Sequence, residues 1–191
     1  LYVQASIKDE FMKKVAAHVA GFKPGDPLDP ETTMGAIVDD IQLNNVMKYI
    51  ESGKTEGAEL LAGGNRCREE TGGYFIEPTI FVTDKNHTIA REEIFGPVLS
   101  AMTFETEAEV IALANDSIYG LQAGLWTGDI SRAHRVARAL KAGTVHVNQY
   151  NDDDITVPFG GYKQSGNGRD KSLHSMDKYC ELKTTWIKID Y

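Results

Sequence analysis

The feature that most constrains this chain is the alternation of strand-like and helix-like stretches between Val98 and Asn148. Val98–Phe104 reads as a strand, and Thr106 with Glu109 makes a capping box for a helix through Val110, Ile111, Leu113 and Ala114. Residues 121–126 read as a buried strand, residues 129–141 as a helix that ends at Gly143, and residues 144–148 as a further strand. Strands separated by helices of roughly ten or more residues cannot be hairpin partners, so the connections are crossovers and the neighbours run parallel. The expected fold class is α/β: an open, mainly parallel sheet with crossover helices, completed by a C-terminal tail strand.

The flanking stretches fit the same class. Leu1, Val3 and Ala5 alternate as a strand does, beginning abruptly as a fragment would, and Ser6 with Asp9 opens a helix whose apolar face is Phe11, Val15, Val19 and Phe22, stopping at Gly21. Residues 24–30 carry three prolines and form a stiff loop. A second helix is expected over residues 39–57, with Ile41, Val46, Met47 and Ile50 inward and Gly57 as a left-handed cap. Leu60, Leu61 and Ala62 read as a short buried strand, residues 63–73 as a polar loop holding Cys67, and residues 73–82 as extended structure around Pro78 at a sheet edge or bulge. Residues 172–179 read as a short helix and residues 182–189 as the final strand.

With 191 residues the chain can bury a sizeable core, and one domain plus a tail is the default. A net charge of −8 argues against nucleic acid or an anionic membrane as partner, since a phosphate backbone needs a basic footprint. Apolar runs are only a few residues long and no charged-then-apolar leader opens the sequence, so no membrane span and a cytoplasmic location are expected. Cys67 and Cys180 lie far apart without CxxC spacing, and five scattered histidines add no metal cluster. Cys67, among Arg66, Arg68, Glu69 and Glu70, reads as solvent-exposed rather than catalytic.

Residues 157–170, VPFGGYKQSGNGRD, place four glycines among aromatic, basic and amide side chains. Pro158, Phe159 and Tyr162 need something to pack on, so this is not a flexible linker, and the glycines read as backbone shape. Lys163, Arg169 and Lys171 leave a phosphate cradle open as the alternative. The spacing favours a structural crossing loop, because the third glycine of a dinucleotide fingerprint is missing and no Gly-Lys-Ser/Thr follows.

Five motifs in order carry a resemblance: GYFIEPTIF at 73–81, REEIFGPV at 91–98, YGLQAGLWTGD at 119–129, AGTVHVN at 142–148 and PFGGYKQSGNGRD at 158–170. Together they span residues 73–170 and resemble the aldehyde dehydrogenase superfamily. The run from Asn151 to His174 is most similar to the branch that acts on gamma-glutamyl-aminobutyraldehyde and related aldehydes.

The resemblance implies residues 1–164 as part of a catalytic domain and 165–191 as a C-terminal helix and oligomerisation strand. It implies chemistry in which a cysteine thiolate attacks the aldehyde, hydride passes to NAD (NADP not excluded), and a glutamate activates water to hydrolyse the thioester. The positions matching that cysteine, the glutamate and the dinucleotide-binding domain would lie before Leu1, so neither Cys67 nor Cys180 is promoted to nucleophile. By the same resemblance Glu93 accepts hydrogen bonds from the nicotinamide-ribose hydroxyls, Phe95 packs near the nicotinamide, and Gln42 is a further ribose contact. From the residues alone, EEIFGP reads as a helix end stopped by Gly96 and Pro97.

Phe159 matches the aromatic at the inner end of the substrate tunnel, and residues 151–156 match the segment near its mouth. Asp152, Asp153 and Asp154 read either as a solvated turn or, through Asp153, as a carboxylate facing substrate and favouring an aldehyde that bears an ammonium group. The expected whole is a homo-oligomeric enzyme paired through the C-terminal strand. The alternative is a non-catalytic assembly module derived from the same fold.

Overall fold

Alternation along one strand explains the layering of the N-terminal part of the chain. In β5 (Thr79–Val82), Ile80 and Phe81 are both fully buried and face opposite sides of the sheet. Ile80 packs with Val3, Met12 and Ala101, while Phe81 packs with Leu43, Val46, Ile50, Ile76, Ile89 and Ile94. Met12 belongs to α1 (Lys8–Val19), and Leu43, Val46 and Ile50 belong to α2 (Asp40–Thr55), so each face of the sheet is covered by a helix. Burying each of these large side chains contributes roughly 1.5–3 kcal/mol.

The computed structural model describes residues 1–150, 152 and 154–190, arranged as two compact units, Leu1–Val110 and Ile111–Tyr191. In the first unit the strand order is β1 (Tyr2–Gln4), β6 (Val98–Phe104), β5 and β2 (Glu59–Ala62). The pairs β1–β6 and β6–β5 are parallel, whereas β2 runs antiparallel to β5 with a register shift between Leu60 and Ala62. A two-residue antiparallel ladder joins β3 (Arg66–Cys67) to β4 (Phe75–Ile76). Pro78 falls between β4 and β5, where its missing N–H interrupts no ladder.

In the second unit β7 (Gln122–Leu125) and β8 (Thr144–Val147) are parallel neighbours connected through α5 (Ile130–Ala139). Asp129 caps α5 by accepting from the Arg132 N–H at 3.0 Å, and that bond holds its carboxyl below the usual carboxylate range. The helix α4 (Glu107–Asn115) runs across the boundary between the units. It opens on the expected capping box: Glu109 N–H donates to Thr106 Oγ1 at 3.2 Å, and the Glu109 carboxylate accepts from the backbone N–H of Thr106 at 3.4 Å and of Glu105 at 2.8 Å.

The mainly parallel sheet with crossover helices is the fold class the sequence implies, and five local expectations are corrected. In α1 the inward residue is Met12, with Val15, Ala16 and Val19 beside it, while Phe11 and Phe22 are exposed. In α2 the buried face is Leu43, Val46 and Ile50, whereas Ile41 lies off that stripe and is 75% exposed. Leu60 and Leu61 sit on an edge strand and are exposed rather than buried. The polar loop expected at residues 63–73 contains β3, and Cys67 is half-buried there.

The fifth correction is the tail. Residues 182–189 have no ladder partner among the described residues and form no strand; Trp186 is 93% exposed. Thr184, Thr185, Trp186 and Ile187 favour extended structure, but a strand exists only when its N–H and C=O groups have a second strand to meet. No helix among the described residues is long and apolar enough to cross a membrane.

Candidate functional site

The segment that carries Glu93 and Phe95 is held along its length by α2. It begins with α3 (Thr88–Arg91), a single turn of helix that starts after His87. His87 provides no side-chain cap, and the missing acceptor comes instead from Glu56, just past the end of α2. Its carboxylate accepts from the Thr88 N–H and the Thr88 hydroxyl, both at 2.6 Å, and from the Ser52 hydroxyl at 2.6 Å. These bonds, the one from Ser52 first and those from Thr88 next, hold the Glu56 carboxyl down at about 2.

Further along, the Tyr49 hydroxyl donates to the Glu92 carboxylate at 2.8 Å. Ile94 then turns its side chain into the α2 core, between Glu93 and Phe95, which are exposed. The amide Nε2 of Gln42, in the first turn of α2, donates to the carbonyls of Ile94 at 3.1 Å and Phe95 at 2.9 Å. Phe95 takes φ +54°, a conformation side chains seldom adopt, and Gly96 follows with its backbone pressed on Val46. A Cβ at Gly96 would stand 2.5 Å from a Val46 methyl, so the close approach needs glycine.

Glu93 and Phe95 both line an open recess of about 590 Å³, with Tyr2, Glu92, Leu99 and Met102 among its other walls. Phe95 is 75% exposed. EEIFGP is therefore not a helix end, since α3 stops at Arg91 and Glu92 is extended. The turn offers a carboxylate acceptor and an aromatic face, which suits hydroxyl groups and a flat ring on one ligand. Gln42, expected as a ribose contact, has its amide nitrogen engaged by the turn itself, which leaves its carbonyl oxygen as the acceptor.

In the second unit Phe159 is half-buried and its backbone pairs with Asp170 in both directions, at 2.9 and 2.7 Å. The Lys171 ammonium lies 5.6 Å from the centre of the Phe159 ring. The glycines of this loop serve backbone shape: Gly166 and Gly168 have φ of +116° and +84°, and a Cβ on Gly160 would stand 2.5 Å from the Gly168 carbonyl oxygen. Arg169 and Lys163, both candidate phosphate-binding cations, are engaged by carbonyls. Arg169 donates to Gly161 O at 3.0 Å and Gly168 O at 2.7 Å, and Lys163 donates to the carbonyls of Asn115 and Ser117, both at 2.9 Å.

Asp153 lies outside the described residues. Its neighbour Asp154 accepts from the Thr156 hydroxyl and N–H at 2.7 Å each, and these bonds, the hydroxyl's first, hold its carboxyl below the usual range. Burial pushes the Cys67 thiol up, the opposite of activation, and Cys180 is exposed in the tail. Sequence reasoning missed Tyr49, Glu56 and Thr88, because their partners lie tens of residues away and leave no local spacing to read.

Taken together, a mainly parallel α/β sheet covered by helices carries an exposed carboxylate and an exposed aromatic residue on a braced turn beside an open recess. The chain belongs to the aldehyde dehydrogenase family, whose pattern it matches over residues 1–185. It is 52% identical over 191 residues to the NADP/NAD-dependent aldehyde dehydrogenase PuuC of Escherichia coli (strain K12), covering 100% of this chain and 38% of that protein. An indole-3-acetaldehyde dehydrogenase crystallised with NAD+ superposes with a TM-score of 0.95 at 57% identity, covering 99% of this chain and 38% of that one. The gamma-glutamyl-gamma-aminobutyraldehyde dehydrogenase of Burkholderia cenocepacia J2315 gives a TM-score of 0.94 at 53% identity, with 97% and 38% covered. The chain thus spans under two fifths of the length of these relatives.

Proposed function

We propose that this chain works as the C-terminal portion of the catalytic domain of an NAD(P)-dependent aldehyde dehydrogenase that oxidises an aldehyde to the carboxylic acid. The observation that carries the proposal is the Glu93–Phe95 turn, which presents an acceptor and a ring at one recess while α2 braces it from behind. In this reading Glu93 accepts from the ribose hydroxyls and Phe95 limits the freedom of the nicotinamide ring. NAD(P), when bound, supplies the hydride acceptor. Gln42 offers its carbonyl oxygen to the ribose only as a minor contact.

The nucleophilic cysteine, the general base and the dinucleotide-binding domain are assigned to sequence N-terminal to Leu1. Phe159 and Asp153 are proposed to meet the substrate, the ring against its carbon chain and the carboxylate against an ammonium group on the aldehyde. Residues 1–164 serve catalysis, and residues 165–191 serve subunit pairing in a homo-oligomer located in the cytoplasm. Turnover tests this reading. The full-length protein with NAD or NADP and an amino-aldehyde should form the reduced cofactor, and the 191-residue chain alone should form none. A full-length protein inert toward every aldehyde tried would sink the proposal.

A second reading, a non-catalytic assembly module, draws on the exposure of Leu182, Trp186 and Ile187 in the tail. It predicts a native product of this chain's mass that assembles but never turns over, and the intact mass of the protein from its source separates the two.

A further inference from the structure

We propose that Gln42 is a positioning residue: its carboxamide fixes the Glu93–Gly96 turn so that Glu93 and Phe95 face the recess together. The inference rests on the cofactor role given to those two residues. The carbonyls of Ile94 and Phe95 converge on one amide nitrogen, at 3.1 and 2.9 Å. Successive carbonyls of an extended chain point in opposite directions, so this convergence requires the reversal that Phe95 makes at φ +54°. Without a donor between them, the two oxygens repel and the strained residue has reason to relax.

The donor is itself held. The Gln42 N–H donates to the Asp39 carboxylate at 2.7 Å, which caps α2 and fixes the first turn from which the side chain reaches out. Below the turn, Val46 meets Gly96 and Ile94 enters the α2 core. Gln42 adds a polar constraint on the turn from the first turn of α2.

Replacing Gln42 by Glu separates this role from direct ribose binding. Gln42→Glu keeps the shape and an acceptor oxygen, which a direct contact with ribose hydroxyls tolerates, but sets a carboxylate oxygen against two carbonyls. In the full-length protein, Gln42→Glu should speed amide hydrogen exchange over residues 92–98, where Val98 N–H is bonded to Gly96 O at 2.8 Å, by about tenfold or more. Hydride transfer in a single turnover should slow by about 10- to 100-fold, with the Kd for NAD changed less than about threefold. Should Gln42→Glu fail to fold, Gln42→Met, which has similar length and no charge, should give the same pattern in weaker form.

Unchanged exchange over residues 92–98 overturns the proposal, whether hydride transfer slows or stays the same. Faster exchange with unchanged hydride transfer overturns it as well. A wild-type enzyme that reduces no cofactor would instead sink the proposed function, and the exchange measurement, which needs no cofactor, then decides alone whether Gln42 holds the turn.

Discussion

The carboxylate of Glu56 holds Thr88 by two bonds, accepting its backbone N–H and its hydroxyl at 2.6 Å each, across 32 positions of sequence. The same carboxylate accepts from Ser52, and the three bonds lower its pKa from 4.5 to about 2. The end of α2 thereby caps α3, from which the chain runs directly into Glu93. Because the folded-state pKa is depressed, the bonds stabilise the fold fully above about pH 4.5, and that contribution disappears as pH falls toward 2. Glu56→Gln should lower the urea midpoint at pH 7, and the gap from wild type should close between those two pH values. A gap that persists unchanged at the acid end contradicts the assignment.

A glycine in the second unit permits a direct approach of two backbones. A Cβ added at Gly143 would stand 1.6 Å from the carbonyl oxygen of Gly160, and neither backbone can move aside as a flexible side chain does. Gly143→Ala should destabilise this unit by about 3 kcal/mol or more, read as the shift in a denaturant midpoint. A variant with wild-type stability would mean that the two loops do not meet.

Strand and helix order between Val98 and Val147 was legible because it rests on local signals: the Thr106–Glu109 capping box, the stop at Gly143 and the separations that force crossovers. Burial was less legible. Ile41 and Leu60 are as apolar as Leu43, and only the direction of α2 and the edge position of β2 decide which of them water reaches. Glu93 and Phe95 came from the family resemblance, since from the residues alone EEIFGP reads as a helix end. The brace beneath them was not legible at all. Gln42, Tyr49 and Glu56 lie seven residues apart on or just past α2, two helical turns each, but their partners at 94–95, 92 and 88 appear only once the chain has folded back.

The tail supplies a prediction about assembly. Its strand-forming residues are exposed within one chain, and pairing with a second chain would satisfy their backbone groups and cover Trp186. Thr185→Pro removes one ladder donor and fixes φ, so it should shift the full-length protein toward smaller species by light scattering. An unchanged assembly rules out subunit pairing through residues 182–189.

Single-turnover reduction of NAD by full-length Glu93→Gln tests the proposed role of the turn most directly. The substitution keeps the size of the side chain and removes the charge of the ribose acceptor. Slower hydride transfer and weaker cofactor binding are expected, together worth about 1 to 3 kcal/mol, the scale of a hydrogen bond to a charged group. A variant whose hydride-transfer rate and cofactor affinity both match wild type would contradict the placement of the cofactor at the Glu93–Phe95 turn.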